Sequence, residues 1–146
     1  MKRTLTIVML LAATVAAGCG GKSAQKEEPK SAFGCPMAYP GATMEKLIKA
    51  KVSTAGKVSD VTVTEMRCRI QSELLHIDAT ISNEASNARH ISYRFSWVDE
   101  QGYKAWDDES WKPVMIYENS SVSIVATAPT RKATDFHMEL LDQDTH

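Results

Sequence analysis

The chain has 146 residues, of which 43% are hydrophobic and 24% are charged, and its formal net charge is -1. This length fits one compact domain, and the hydrophobic share is too high for a disordered polymer. The near-neutral charge excludes the basic surface expected of a nucleic-acid-binding protein. With three cysteines, the chain is neither a cysteine-dense scaffold nor the source of a zinc quartet.

The N-terminus carries an apolar stretch behind two basic residues. Lys2 and Arg3 precede the stretch from Leu5 to Ala17, which is interrupted only by threonines. As a helix it would be about 20 Å long, too short for the ~30 Å hydrocarbon core of a bilayer. It is typical of a cleaved signal sequence. Small residues before Cys19 resemble the bacterial lipobox, which predicts a lipoprotein signal peptide over residues 1–18 and palmitate-type acylation of Cys19. The alternative is an ordinary signal peptide that is cut near Ala17.

Acylation would determine where the protein resides. Two or three acyl chains on Cys19, each contributing ~0.8 kcal/mol per buried CH₂, anchor a protein stably in a membrane. Gly20 stands where an Asp would favour inner-membrane retention in enterobacteria, so we expect an outer-membrane lipoprotein facing the periplasm. Residues 20–30 lack large apolar side chains and should form a flexible tether. We assign residues 19–43 to the lipidated N-terminus, tether and lead-in segment, and residues 44–146 to the folded domain.

Two cysteines remain once Cys19 is lipidated. An even pair in an oxidising compartment favours a disulfide between Cys35 and Cys68. The alternative is two separate buried thiols. Neither cysteine belongs to a Cys-x-x-Cys motif, so a redox role is not indicated.

Alternation of apolar and polar residues predicts β-strands over most of the domain. The apolar phase changes near Thr64 and Glu65, as a β-bulge would produce, and turns are predicted at 99–102 and 119–121. The only candidate helix is 43–51. These features predict an all-β, immunoglobulin-like antiparallel β-sandwich of six to seven strands. The apolar positions of the strands are Val61, Val63, Met66, Cys68, Ile70, Leu75, Ile77, Ala79, Ile81, Ile91, Tyr93, Phe95, Trp97, Val122, Ile124, Ala126, Phe136, Met138 and Leu140.

A family resemblance emerges from the aromatic strand. The stretch from His90 to Gly102 contains Tyr-Arg-Phe-x-Trp-x-Asp-x-x-Gly, and Trp-Lys-Pro at 111–113 and Ala-Pro at 128–129 follow it. Over residues 58–141 the chain resembles the YcfL-type family of small periplasmic lipoproteins, a domain of unknown function. The resemblance implies a β-sandwich without an established activity. It also implies a genomic association with an activator of peptidoglycan synthases.

Residues capable of chemistry are scattered. The four histidines, His76, His90, His137 and His146, have no metalloprotease spacing, and we expect those on strand faces to be solvated. The acidic run 107–109 lacks the glycine-containing calcium loop, so we expect a solvated loop. No nucleophile elbow, phosphate loop or Cys/His pair is present. We therefore predict a protein that is not an enzyme and needs no metal or cofactor.

The aromatic and arginine residues are the main candidates for function. Tyr93, Phe95 and Trp97 share one strand face and are assigned to the core. Arg94 lies on the opposite face, where it could pair with Asp78 or Glu139, or form part of a partner site. Trp106 and Trp111 flank the acidic run, and we expect at least one in a loop that contacts a partner, because Trp and Arg are over-represented in binding hot spots. The alternative is that both tryptophans cap the sandwich.

The sequence thus supports two functional hypotheses. The first is a lipid-anchored, non-catalytic module that binds an envelope protein, with the peptidoglycan-synthesis machinery as a candidate partner. The second is a periplasmic protein that binds a small molecule or a metal ion at the loops of the sandwich. An exposed aromatic patch would favour the first hypothesis, and a cavity of ~300–1,000 Å³ with convergent polar groups would favour the second.

Overall fold

The computed structural model describes residue 35 and residues 42–143. The predicted signal peptide, Cys19, the predicted tether and His146 lie outside the described residues. Within residues 42–143, no helix combines the length and hydrophobicity needed to cross a membrane.

The described chain forms two β-sheets packed face to face. One has the strand order β1-β7-β4-β5 and the other β2-β3-β6, which confirms the predicted β-sandwich. The elements are α1 (Met44–Lys51), β1 (Val52–Thr54), β2 (Val61–Gln71), β3 (Leu74–Asn83), β4 (Arg89–Val98), β5 (Lys112–Ile116), β6 (Ser120–Thr127) and β7 (Asp135–Asp142).

The strand order has two features that the sequence patterns do not reveal. First, β1 pairs with β7 in parallel, whereas the other strand pairs of residues 42–143 are antiparallel. Second, β2 and β3 form a hairpin within one sheet, whereas the second and third strands of a constant immunoglobulin domain lie in different sheets. The protein is therefore a β-sandwich whose strand connectivity differs from that of a constant immunoglobulin domain.

The aromatic strand β4 supplies the centre of the core. Phe95 and Trp97 have no exposed surface, and their rings stack at 5.7 Å between centroids. Phe136 of the adjacent β7 contacts both rings, at 6.1 and 6.4 Å. Tyr93 is half-buried and packs edge-on against Phe95. The predicted core face of this strand is confirmed, with Tyr93 at its margin.

The predicted irregularity in β2 is confirmed at the predicted place. The register with β3 shifts between Val63 and Glu65, so Thr64 is the extra residue of a β-bulge. The phase change lets Val61, Val63, Met66 and Cys68 all face the core. Ile70 is a correction, because it is 66% exposed although it continues the same phase.

The β2–β3 hairpin closes through a turn that has no conventional signal. Ser72 and Glu73 both adopt positive φ, at 51° and 62°, as in a type I′ turn. Such turns favour Asn-Gly, because positive φ strains residues with a Cβ atom. Ser-Glu therefore gives no sequence indication of where β2 ends.

Helix α1 closes one side of the sandwich. Thr43 caps its N-terminus by accepting a hydrogen bond from the Lys46 N–H at 3.4 Å. At the other end, the buried Lys51 ammonium donates to both carboxylate oxygens of Asp135 at 2.6 Å. This ion pair joins the helix end to the first residue of β7.

A disulfide joins Cys35 to Cys68 in β2, with 4.5 Å between their Cα atoms. Cys35 has no exposed surface and Cys68 is 7% exposed. The bridge predicted from the cysteine count is thus present. It links the lead-in segment to the core across 33 residues of sequence, and a loop of that size contributes about 3–4 kcal/mol in the chain-entropy model.

The first prediction concerns Trp97. Trp97→Ala should destabilise the domain by about 3–5 kcal/mol, because truncation leaves a cavity among packed rings, out of about 5–15 kcal/mol for a whole domain. Trp97→Phe keeps a ring in place and should cost less. Urea unfolding measures both. A loss below about 1 kcal/mol for Trp97→Ala would contradict the assignment of this residue to the core.

Candidate functional site

The β4–β5 loop, residues 99–111, begins with a turn held by one carboxylate. Asp99 Oδ1 accepts hydrogen bonds from the N–H groups of Gln101 at 3.0 Å and Tyr103 at 2.8 Å. Gly102 has a φ of 82°, a conformation that strains residues with a Cβ atom. The predicted turn at 99–102 is therefore confirmed.

The second half of the loop is attached to the core. The Ala105 N–H donates to the Trp97 carbonyl at 2.8 Å. The indole N–H of Trp97 donates to Glu109 Oε1 at 2.7 Å, and the Lys112 ammonium donates to Glu109 Oε2 at 2.6 Å. Buried indole N–H groups need a hydrogen-bond acceptor, and Glu109 supplies the acceptor for the Trp97 indole that the β-sheet does not provide.

The acidic run is therefore only partly the solvated loop that the sequence predicts. Asp107 and Asp108 are exposed, and Asp108 pairs with Lys104 at 3.0 Å. Glu109 is the correction: its side chain is 18% exposed and holds the loop to the core. Loop residues 99–111 contain five carboxylates and a single lysine, so the loop surface is acidic.

Two aromatic side chains project from this ordered loop into solvent. Tyr103 is 73% exposed and Trp106 is 51% exposed. Trp106 borders a shallow depression of about 280 Å³ that is also lined by Lys104, Ala105 and Asp107. Exposed aromatic rings on an ordered backbone are typical of protein-binding surfaces, since little entropy is lost when they are covered.

Arg94 lies on the outer face of its sheet, in a stack of side chains. Its guanidinium donates to Glu139 Oε2 at 2.6 and 2.7 Å and lies 4.4 Å from the centre of the Trp111 ring. Of the two acids considered from the sequence, Asp78 belongs to β3 in the other sheet and cannot reach Arg94. The structure brings Arg94 and Trp111 together, and Trp106 is the more exposed tryptophan.

The histidines of the described chain form local hydrogen bonds. His76 Nδ1 lies 2.9 Å from Thr127 Oγ1, and His137 Nε2 lies 2.8 Å from Ser53 Oγ. Both side chains are half-buried and keep part of the solvent exposure that the sequence predicts. In the part of the chain that the structure describes, no three His, Cys, Asp or Glu side chains are grouped as metal ligands.

A groove of about 390 Å³ lies between α1 and β2. Its lining is mixed apolar and charged, and consists of Met44, Glu45, Ile48, Lys49, Val63 and Thr64. This volume is within the range of ligand pockets. Among the described residues, no hydrogen bond or ion pair joins the polar side chains that line this groove. The β4–β5 loop is therefore the stronger candidate site.

Sequence reasoning missed two residues of the site, Tyr103 and Glu109, and only the first had a signal. Tyr103 follows the glycine of the turn and could have been recognised as a loop aromatic. Glu109 looks like its acidic neighbours, and only the position of the Trp97 indole distinguishes it.

The model of a protein family of unknown function, DUF1425, matches residues 47–142 of the chain. The chain belongs to this family. Two solved structures are similar to it: cj0090 of Campylobacter jejuni and a DUF1425 family member from Shewanella sp. pv-4. Each is 21% identical, with TM-scores of 0.56 and 0.51. The matches cover 64% of this chain and 98% of the first structure, and 55% of this chain and 75% of the second. No curated protein matches the sequence.

At this identity, the two structures support the sandwich fold of the DUF1425 domain and leave its function open. The region that matches the family, residues 47–142, includes β4, the β4–β5 loop and β7. The features that distinguish possible functions are therefore the exposed side chains of this chain itself.

The second prediction separates the two tryptophans. Trp111→Ala should lower the free energy of unfolding by about 1–2 kcal/mol, because the ring packs on Arg94 and is half-buried. Trp106→Ala should change it by less than about 0.5 kcal/mol, as is usual for exposed side chains. Thermal or urea unfolding of both variants provides the measurement. Equal destabilisation would show that Trp106 also caps the sandwich.

Proposed function

We propose that this protein is a lipid-anchored, non-catalytic binding module of the bacterial envelope, and that it contacts a partner protein through the β4–β5 loop. The observation that carries the proposal is the combination of order and exposure in this loop. Glu109 and Asp99 fix its backbone, while Tyr103 and Trp106 remain in solvent.

Order and exposure together favour binding for an energetic reason. A flexible loop loses conformational entropy when it binds, whereas a loop already held in place loses less. Trp and Tyr rings provide large apolar contact areas and are enriched among the residues that dominate binding energy. An exposed, fixed Trp106 therefore has the properties of a binding hot spot.

The charge of the loop indicates the character of the partner surface. Asp107 is exposed, and Glu100 at the tip of the turn is exposed as well. Complementary charges steer association and discriminate against wrong partners. We expect a partner with a basic patch around a pocket that accepts the Trp106 ring.

The anchoring part of the proposal rests on the N-terminal sequence. Lys2 and Arg3, the apolar stretch after them and the small residues before Cys19 support acylation of Cys19 and an outer-membrane location facing the periplasm. The resemblance to YcfL-type lipoproteins supports the peptidoglycan-synthesis machinery as the partner class.

Incorporation of labelled palmitate, which Cys19→Ser should abolish, checks the anchor.

The third prediction tests the loop in intact cells. A photo-crosslinking phenylalanine analogue at Tyr103 should give a discrete adduct with one envelope protein. Adding Trp106→Ala should lower the adduct yield about tenfold or more, as expected for loss of a hot-spot residue.

The matched control is Tyr117→Ala. Tyr117 is 62% exposed and follows β5, at the end of the strand opposite to the β4–β5 loop. Its truncation should leave the adduct unchanged. If the Trp106 and Tyr117 variants lower the yield equally, or if neither does, the β4–β5 loop is not the binding surface.

A further inference from the structure

The two sheets of the sandwich end in four edge strands, β1, β5, β2 and β6. An edge strand presents a row of unpaired N–H and C=O groups that can pair with another chain. Natural proteins protect such edges with short strands, charges, prolines, bulges or a covering element.

Three of the four edges are protected. β1 has only three residues. β5 has five residues and contains Lys112 and Pro113. β2 carries the bulge at Thr64, and the Met66 N–H is covered by the Met44 thioether of α1 at 3.3 Å. Beyond the bulge, β2 stays in regular register with β3 from Glu65 to Gln71. There Arg67 and Arg69 place charges on its exposed face, a further protection against pairing.

The fourth edge, β6, has none of these protections. It contains eight residues, Ser-Ser-Val-Ser-Ile-Val-Ala-Thr, without a charge or a proline. Its register with β3 is continuous from Ser120 to Thr127, with no bulge. Among the residues that the structure describes, no strand pairs with its other side.

The backbone groups that face the open side of β6 can be identified. The Ala128 N–H donates to the Leu75 carbonyl at 2.8 Å, which continues the register between Thr127 and His76. Hydrogen-bonding direction alternates along an antiparallel strand. The even-numbered residues therefore bond to β3, and the odd-numbered residues direct their N–H and C=O groups outward. These outward residues are Ser121, Ser123, Val125 and Thr127, and their side chains are all exposed.

We propose that β6 pairs with β6 of a second copy of this chain, antiparallel and about a two-fold axis beside Ile124. In this register Ser121 lies opposite the partner's Thr127, and Ser123 lies opposite the partner's Val125. Each of the four outward residues then donates and accepts one hydrogen bond. The two three-stranded sheets become one continuous six-stranded sheet.

The composition of β6 suits pairing with itself. A two-fold pairing brings residues of one strand against residues of the same strand, and like charges directly opposite one another are destabilising. β6 contains no charged residue, so this repulsion does not arise. Ser–Thr hydroxyl pairs are favourable cross-strand neighbours, and Val125, 62% exposed in the single chain, becomes partly covered. This interface does not involve the β4–β5 loop.

Disulfide trapping in intact cells tests the interface and its register. The full-length double variant Ser123→Cys with Val125→Cys should give a reducible dimer at twice the monomer mass. The control is Thr62→Cys with Thr64→Cys, which has the same two-residue spacing on exposed positions of β2, at the opposite edge of this sheet. It should give no dimer above background.

A proline variant tests the backbone bonds. Ser121→Pro removes one outward N–H from each copy and leaves the ladder to β3 intact, as edge strands tolerate. Added to the 123/125 cysteine pair, it should lower the dimer yield about tenfold or more, while the thermal midpoint of the reduced, dilute monomer stays unchanged. The proposal is overturned if the β6 cysteines give no dimer, if the β2 control gives as much, or if the β6 cysteines trap a different protein instead.

Discussion

The hydrogen bond from the Trp97 indole to Glu109 is the interaction on which the shape of the candidate site depends. Trp97 is fully buried between the sheets, and its N–H would be costly without a partner. The partner comes from twelve residues further along the chain, at 2.7 Å, and its second oxygen is bound by Lys112. The Ala105 N–H also donates to the Trp97 carbonyl, so residues 105 and 109 are both held at Trp97. Trp106, between them, is exposed.

The aromatic core connects the stability of the domain with the candidate site. Phe95, Trp97 and Phe136 form the aromatic centre of the core, and one of these rings also fixes the loop. Substitutions in the core can therefore change the loop without altering any exposed residue. Arg94 acts differently, because its contacts with Glu139 and Trp111 stabilise the outer face of the sheet. Arg94 therefore contributes to the stability of the sheet.

Much of the fold could be predicted from local sequence patterns. Period-two alternation indicates β3, β4, β6 and β7, and the phase change at Thr64 indicates the bulge in β2. The strand β1 could not be predicted, since three residues show no periodicity and their parallel pairing depends on β7. The turn at Ser72 and Glu73 was equally hidden, because it lacks the Asn or Gly that positive φ favours. Ile70 continues the apolar phase of β2, yet it is exposed near the hairpin end of the strand, which the alternation does not indicate.

The candidate site was only partly predictable, because its contacts depend on the tertiary structure. Trp106 could be placed in a loop, because strand periodicity fails around it. The choice between Asp78 and Glu139 as the partner of Arg94 depends on which strands share a sheet, which a single sequence does not specify. Glu109 could not be separated from Asp107 and Asp108 without the position of the indole. Membership of DUF1425 and the two similar structures support the sandwich. The exposed loop side chains and the open backbone edge of β6 are features of this chain's own structure.

The most direct test of this account is amide hydrogen exchange across the β4–β5 loop. Glu109→Ala removes the acceptor of the Trp97 indole and should speed exchange of the Ala105 amide and its neighbours about tenfold or more, as expected for loss of a hydrogen bond to a charged group. Asp107→Ala, an exposed acid in the same loop, should leave that exchange unchanged. If Glu109→Ala leaves the loop as protected as in the unaltered protein, the Trp97–Glu109 bond does not hold the candidate site in place.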